Sequence, residues 1–284
     1  MIYLFTALRI EAEPWLVNAV PQNTSGPFPV YASEDVLLTI TGTGPLSASA
    51  AVASILATHK LSPQDQLIHC GIAAGVTGAA TGQTYRIHKI TDYSSRRDYY
   101  PDLLIPSSLP EASLISGSLI LSSSSSRPHL IGQDLQPFLH DCNETVLYDM
   151  EAAGVFHAAS QVLAPHQIHC FKIVSDQGDV ITPQEAAHFA SLLHDAIISE
   201  LPAIRSAALQ ESPVPAPDTQ KLAEDLNCSV TMERQLKQLI RYCQLADIPW
   251  QAETAAYYAD GRLPVSSREE GKRILKEMFH ALLK

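Results

Sequence analysis

The stretch at residues 146–179, VLYDMEAAGVFHAASQVLAPHQIHCFKIVSDQGD, decides how the rest of the chain is read. Residues 168–174 form a short apolar run with β-branched members. Pro165 precedes it and a Gly/Asp-rich turn follows it, which predicts a buried strand. Residues 146–149 predict an earlier strand, and the segment between predicts a helix. Acids mark both strand ends: Asp149 and Glu151 after the first, Ser175 and Asp176 at the close of the second. Ligands collect at the carboxyl ends of strands in open α/β sheets, so these acids are candidates for chemistry. Asp and Glu after a strand are also ordinary turn and helix-capping residues, and at this point both readings stand.

Working outward, the same alternation recurs. Strands are predicted at 1–7, 36–40, 66–70, 85–91 and 119–121, and helices from Ile10, over 45–59 and over 183–201. This implies an α/β fold with a mostly parallel sheet covered on both faces. Glu11 and Glu13 suit the first turn of their helix through its dipole, yet Glu11 also sits at a strand's carboxyl end. Two connections are made of small residues, Thr41-Gly42-Thr43-Gly44 and Gly71-Ile72-Ala73-Ala74-Gly75, and both read as loops that bring backbone close to a ligand. The first is neither a dinucleotide fingerprint nor a Walker A loop, because the third glycine and the Gly-Lys-Ser/Thr are missing, and a tight turn alone would also account for its glycines. Residues 92–102, DYSSRRDYYPD, read as a surface loop or subunit contact. Five serines at 122–126 read either as a flexible linker or as an active-site loop.

The chain's 284 residues, 46% hydrophobic and 17% charged, allow one large domain with a small second one. A catalytic domain is expected at 1–209, a Pro-rich linker at 210–219 (QESPVPAPDT) and a small helical C-terminal appendage at 220–284. The appendage has helical patterning at 220–226, 232–245, 251–258 and 268–283, with Thr231 or Ser266 as caps. Five scattered cysteines without a C-x-x-C pair read as reduced thiols, and no metal is expected. Up to Leu209 there are nine Lys/Arg against nineteen Asp/Glu, and beyond it ten against eleven, so most of the −11 charge lies in the first part. That pattern argues against nucleic acid as a partner. No apolar run is long enough for a bilayer span and no basic n-region opens the chain, so neither membrane association nor a signal peptide is expected and a cytoplasmic location is the default.

Over roughly the first two hundred residues, five landmarks occur in order: Ala7-Leu8-Arg9-Ile10-Glu11, Thr41-Gly42-Thr43-Gly44, Gly71-Ile72-Ala73-Ala74-Gly75, Asp149-Met150-Glu151-Ala152-Ala153 and Ser175-Asp176. Together they resemble the nucleoside phosphorylase superfamily, and within it the methylthioadenosine/S-adenosylhomocysteine nucleosidases. The resemblance implies a three-layer α/β fold with a mostly parallel mixed central sheet, and cleavage of the N-glycosidic bond of a purine nucleoside. It implies that Glu151 grips the ribose hydroxyls with Met150 beside the sugar. Asp176 is the general acid at the base and Ser175 orients it. Thr41 touches the sugar or nucleophile, Ala73 and Ala74 admit the base, and Ser126 and Arg127 lie near where relatives place a base-stacking aromatic. Glu11 resembles the nucleosidases' water-activating glutamate, which favours hydrolysis. Arg9 keeps open the alternative, a phosphorylase with inorganic phosphate as co-substrate. A non-catalytic nucleoside-binding protein with a partner-binding helical tail is a second alternative. No cofactor is implied, and relatives assemble as homo-oligomers, dimers among them.

Overall fold

The computed structural model describes residues 1–22, 26–122, 129–139, 144–210, 219–245 and 248–282. In chain order the first unit comprises β1 (Ile2–Thr6), α1 (Arg9–Ala12), β2 (Val20–Pro21), β3 (Val30–Ser33), β4 (Val36–Ile40), α2 (Pro45–Thr58) and β5 (Gln66–Thr77). There follow β6 (Thr84–Asp92), β7 (Asp98–Tyr99), β8 (Glu111–Ser116), β9 (Ile120–Leu121), β10 (His129–Leu130), β11 (Val146–Asp149), α3 (Ala152–Ala159), β12 (Ile168–Asp176) and α4 (Pro183–Gln210). The chain divides into two compact units, Met1–Glu211 and Ser212–Lys284.

Side-chain alternation on β1 sorts the first unit into layers. Tyr3 and Phe5 face one core with Val52, Ile55 and Leu56 of α2 and Val155 and Phe156 of α3. Ile2 and Leu4 face the other core, against Leu193, Ile197, Leu201 and Ile204 of α4. The α4 residues recur every three to four positions, the spacing that turns one helical stripe toward a sheet. Each such buried aliphatic side chain contributes about 1.5–3 kcal/mol. α2 is built largely of Ala and Ser, which lets it approach α3 closely. A Cβ on Gly154 of α3 would run into the Pro45 carbonyl, so only glycine fits at that crossing.

The sheet is not the mostly parallel one expected from the alternation of strands and helices. β1–β4, β1–β5, β5–β12, β6–β8 and β8–β11 are parallel, but β3–β4, β2–β3, β6–β7, β6–β12 and β5–β11 are antiparallel. β5 also pairs with both β12 and β11, so β5, β12, β6, β8 and β11 close into a five-stranded ring. This explains a second departure. Residues 71–75 were expected to form a loop, yet they continue β5 as a twelve-residue strand. Small side chains on that half let the strand bend into the ring, with β12 along one edge as far as Ala74 and β11 joining the other from Ala74 onward.

The first helix is one turn, and Pro14 carries the chain on as a 3₁₀ segment at Glu13–Leu16. α4 runs nine residues beyond the expected end, through Pro202. The second unit consists of α5 (Gln220–Asp225), α6 (Val230–Leu245), α7 (Trp250–Ala259) and α8 (Arg268–Leu282). These enclose their own core of Leu226, Leu236, Ile240, Ile274, Leu275 and Met278. Ser229 and Ser267, rather than Thr231 and Ser266, cap α6 and α8: their hydroxyls accept from Met232 N at 3.3 Å and Glu270 N at 3.2 Å. Among the described residues no helix is long and apolar enough to cross a membrane.

Candidate functional site

One edge of β5 changes partner midway. β1 pairs with it as far as Phe5↔His69, and β11 takes over at Tyr148↔Ala74. Among the described residues no strand flanks positions 70–73 on that edge, so their backbone groups are open to other partners. Glu11 fills the gap. Its Oε1 accepts from Ile72 N at 2.9 Å, and its Oε2 accepts from Ala7 N at 2.9 Å and Leu8 N at 2.8 Å. Gly71 makes room for it, since a Cβ there would stand 2.7 Å from Glu11 Oε1. Burial pushes the Glu11 pKa up, against the opposing pull of the Lys172 ammonium and the three N–H donors.

The acids after β11 divide their tasks. Asp149 caps α3, with Ala152 N donating to its Oδ2 at 3.0 Å. Glu151 stands at the N-cap position, but its side chain turns away from the helix and its Oε1 accepts from Gly44 N at 2.8 Å. That amide is available because Gly42 and Gly44 adopt φ of 75° and 94°, which L side chains rarely adopt, and Pro45 begins α2 directly after. Burial, followed by the Asp149 charge, pushes the Glu151 pKa up to about 7. Thr41, expected at the sugar, is buried, and its hydroxyl donates to the Gly42 carbonyl at 2.8 Å. Met150 is half-buried against the apolar cluster of Ile115, Leu130, Leu135, Phe138 and Tyr148.

β12 ends in a bulge: Val174 pairs with Ala73 and Asp176 with Ala74, leaving Ser175 between. The Ser175 hydroxyl lies 2.6 Å from Asp176 Oδ2 and 3.3 Å from the Ala73 carbonyl oxygen. Gly178 N donates to Asp176 Oδ1 at 2.7 Å. Asp176 is half-buried, in contrast to the other site acids. Ala73 is buried and Ala74 partly so. Glu11 and Ser175 are thus joined through adjacent residues of β5, and Glu151 shares the influence of the Lys172 charge with Glu11. Ser126 and Arg127 lie outside the described residues. Arg9 points to the exposed face, donating to the Tyr31 hydroxyl at 3.0 Å.

Beneath these groups lies a buried charge network that the sequence reading missed. Lys172 is 1% exposed, and its Nζ is 2.8 Å from Asp149 Oδ2 and 3.0 Å from His69 Nε2. Burial opposes the charge on both ions, but each outweighs that penalty for the other: Lys172 is held above its ordinary pKa and Asp149 well below. A lysine inside the apolar run IHCFKIV was the available signal, because lysines are fully buried only when paired.

No protein-family model and no curated protein sequence matches the chain. Solved structures do. The 5′-methylthioadenosine/S-adenosylhomocysteine nucleosidase of Neisseria meningitidis, in complex with methylthio-immucillin-A, matches with TM-score 0.56 and 16% identity, over 70% of this chain and 98% of that one. The S. pneumoniae nucleosidase with the transition-state inhibitor MT-ImmA matches at 0.57 and 15%, over 72% and 99%. The Arabidopsis thaliana 5′-methylthioadenosine nucleosidase in apo form matches at 0.56 and 18%, over 74% and 96%. At these identities the likeness shows the fold.

Proposed function

We propose that the first unit hydrolyses the N-glycosidic bond of a purine nucleoside. In this reading Asp176, oriented by Ser175, protonates the base at N7, so that the base departs neutral. Glu151 binds the ribose hydroxyls beside Met150, and Glu11 takes a proton from the attacking water. Ala73 and Ala74 line the way to the base. As positive charge develops at the ribose, the surrounding carboxylates stabilise it.

The observation that carries the choice of water over phosphate is the charge balance. Three buried carboxyl groups, Glu11, Asp149 and Glu151, share one buried cation, Lys172. Asp149 already claims that cation at 2.8 Å. A phosphate dianion entering this site would meet unbalanced carboxylates, whereas water would meet a base of raised pKa. Arg9, the residue that kept phosphorolysis open, is engaged by Tyr31 on the exposed face. The likeness in fold to proteins described as nucleosidases and solved with nucleoside-like inhibitors supports the same reading.

The test is release of free base from 5′-methylthioadenosine, adenosine and inosine, with and without inorganic phosphate. Release independent of phosphate is expected. A rate that rises with phosphate would replace hydrolysis with phosphorolysis. Nucleoside binding without release under either condition would leave a binding protein.

A further inference from the structure

We propose that His69 is a positioning residue for the nucleophile side of this site: as a neutral imidazole it accepts a hydrogen bond from Lys172 and, together with Asp149, fixes that ammonium beside Glu11. Its consequence for turnover rests on the nucleosidase reading, whereas the arrangement rests on geometry alone. His69 Nδ1 lies 3.2 Å from the Phe5 carbonyl oxygen, which can only accept, so Nδ1 carries the proton. Nε2 lies 3.0 Å from Lys172 Nζ, which can only donate, so Nε2 presents its lone pair. A doubly protonated ring would set two donors head to head at that distance. Asp149 Oδ2 also faces Nε2, but at 3.5 Å it is the longer contact, and burial, followed by the Lys172 charge, lowers the His69 pKa against the opposing pull of Asp149 and the Phe5 carbonyl.

A lysine stem is flexible and its ammonium is a point charge, so one partner leaves its direction loose. Here two of the three N–H bonds are taken, one by His69 and one by Asp149 Oδ2 at 2.8 Å. The third is left for the side where Gly71 lacks a side chain. There Glu11 Oε1 and Lys172 Nζ lie 2.7 and 3.4 Å from the same point, the position a Gly71 Cβ would take. The other groups facing this cation are Cys170 on β12, Cys70 on β5, and Glu151 at the end of β11. Burial pushes both thiols up, so they stay neutral. Lys172 is therefore the positive charge that favours ionisation of Glu11 and Glu151, and His69 keeps it in place.

The test uses the full chain with ¹⁵N-labelled histidine and ¹³C-carboxyl-labelled glutamate, in wild type, His69→Leu and His69→Gln. In wild type the His69 ring should remain neutral, with the proton on Nδ1, between pH 6 and 8; a doubly protonated ring overturns the proposal even if no variant folds. In His69→Leu the Glu151 titration should move up by about one pH unit, a tenfold change in ionised fraction below the midpoint. His69→Gln, whose amide oxygen can accept from Lys172, should restore most of that shift. Equal titrations in wild type and His69→Leu, or equal shifts in both variants, overturn the positioning role. The acid limb of kcat/KM should follow the carboxyl titration, with KM near neutral pH changed less than kcat. Turnover with an unmoved acid limb in His69→Leu defeats the positioning role and leaves the nucleosidase reading. No base release from any of the three proteins, with the titration shifted as expected, defeats the nucleosidase reading and leaves the positioning role standing.

Discussion

The ends of β11 and β12 both carry acids, but the two places are built differently. At the end of β11, Asp149 and Glu151 are buried and tied to Lys172, His69 and the Gly44 amide. At the end of β12, Asp176 is half-buried, and among the described residues its carboxylate is held by Ser175 and the Gly178 amide. Under the proposed function the contrast becomes a division of labour. A sugar's neutral hydroxyls need a rigid acceptor, whereas a proton donor to the base must stay open enough to gain and lose its proton each cycle.

The sharpest way to break this comparison is Asp176→Asn. Base release should fall about 10²–10⁴-fold while nucleoside affinity stays within a few-fold; equal losses in both would make Asp176 a binding group, measured by single-turnover kinetics and calorimetric titration. Gly71→Ala should come next. Its Cβ would displace the Glu11 carboxylate, and kcat should drop on the order of 10²-fold with a smaller change in KM. Wild-type kinetics from that variant would remove Glu11 from the chemistry.

Glu151→Gln is smaller in turnover but separates stability from function. Its folded-state pKa of about 7 lies above the ordinary 4.5, so the fold prefers the protonated form, and the stability this contributes is fully present below about pH 4.5 and lost as pH rises through 7. A neutral amide should therefore raise stability by about 1–2 kcal/mol above pH 7, seen as a higher Tm, while weakening nucleoside affinity about tenfold. In wild type, binding that needs the ionised form should decline as pH falls below 7. The least effect is expected far from either strand end. The bidentate Arg205–Asp35 pair, at 3.0 and 2.8 Å, is nearly half exposed, so Arg205→Gln should cost less than about 1 kcal/mol and leave base release unchanged.

Much of the site was legible because it sits where strands stop. β4 and the start of α2 fall where the Thr41–Gly44 turn and Pro45 predicted them, and the acids near positions 149–151 and 176 end their strands as read. Periodicity failed where one strand has two kinds of partner. Residues 71–75 look like a loop because glycines and alanines usually interrupt strands, and nothing local announces that β11 will pair there to close a ring. His69 and Lys172 were hidden for a related reason. They lie 103 positions apart, and the register Cys170↔His69 that brings β5 and β12 together is a tertiary fact. Asp149 was visible as a cap and does cap α3, but its second role as counter-ion to Lys172 needed the fold.

The glycine at position 154 has a consequence for motion. With its helix pressed against the Pro45 carbonyl, α3 cannot slide past α2 without carrying along the turn whose Gly44 amide holds Glu151. The two helices should therefore open together or not at all, and the Gly44 amide proton should exchange with solvent only as fast as the whole helix pair breathes.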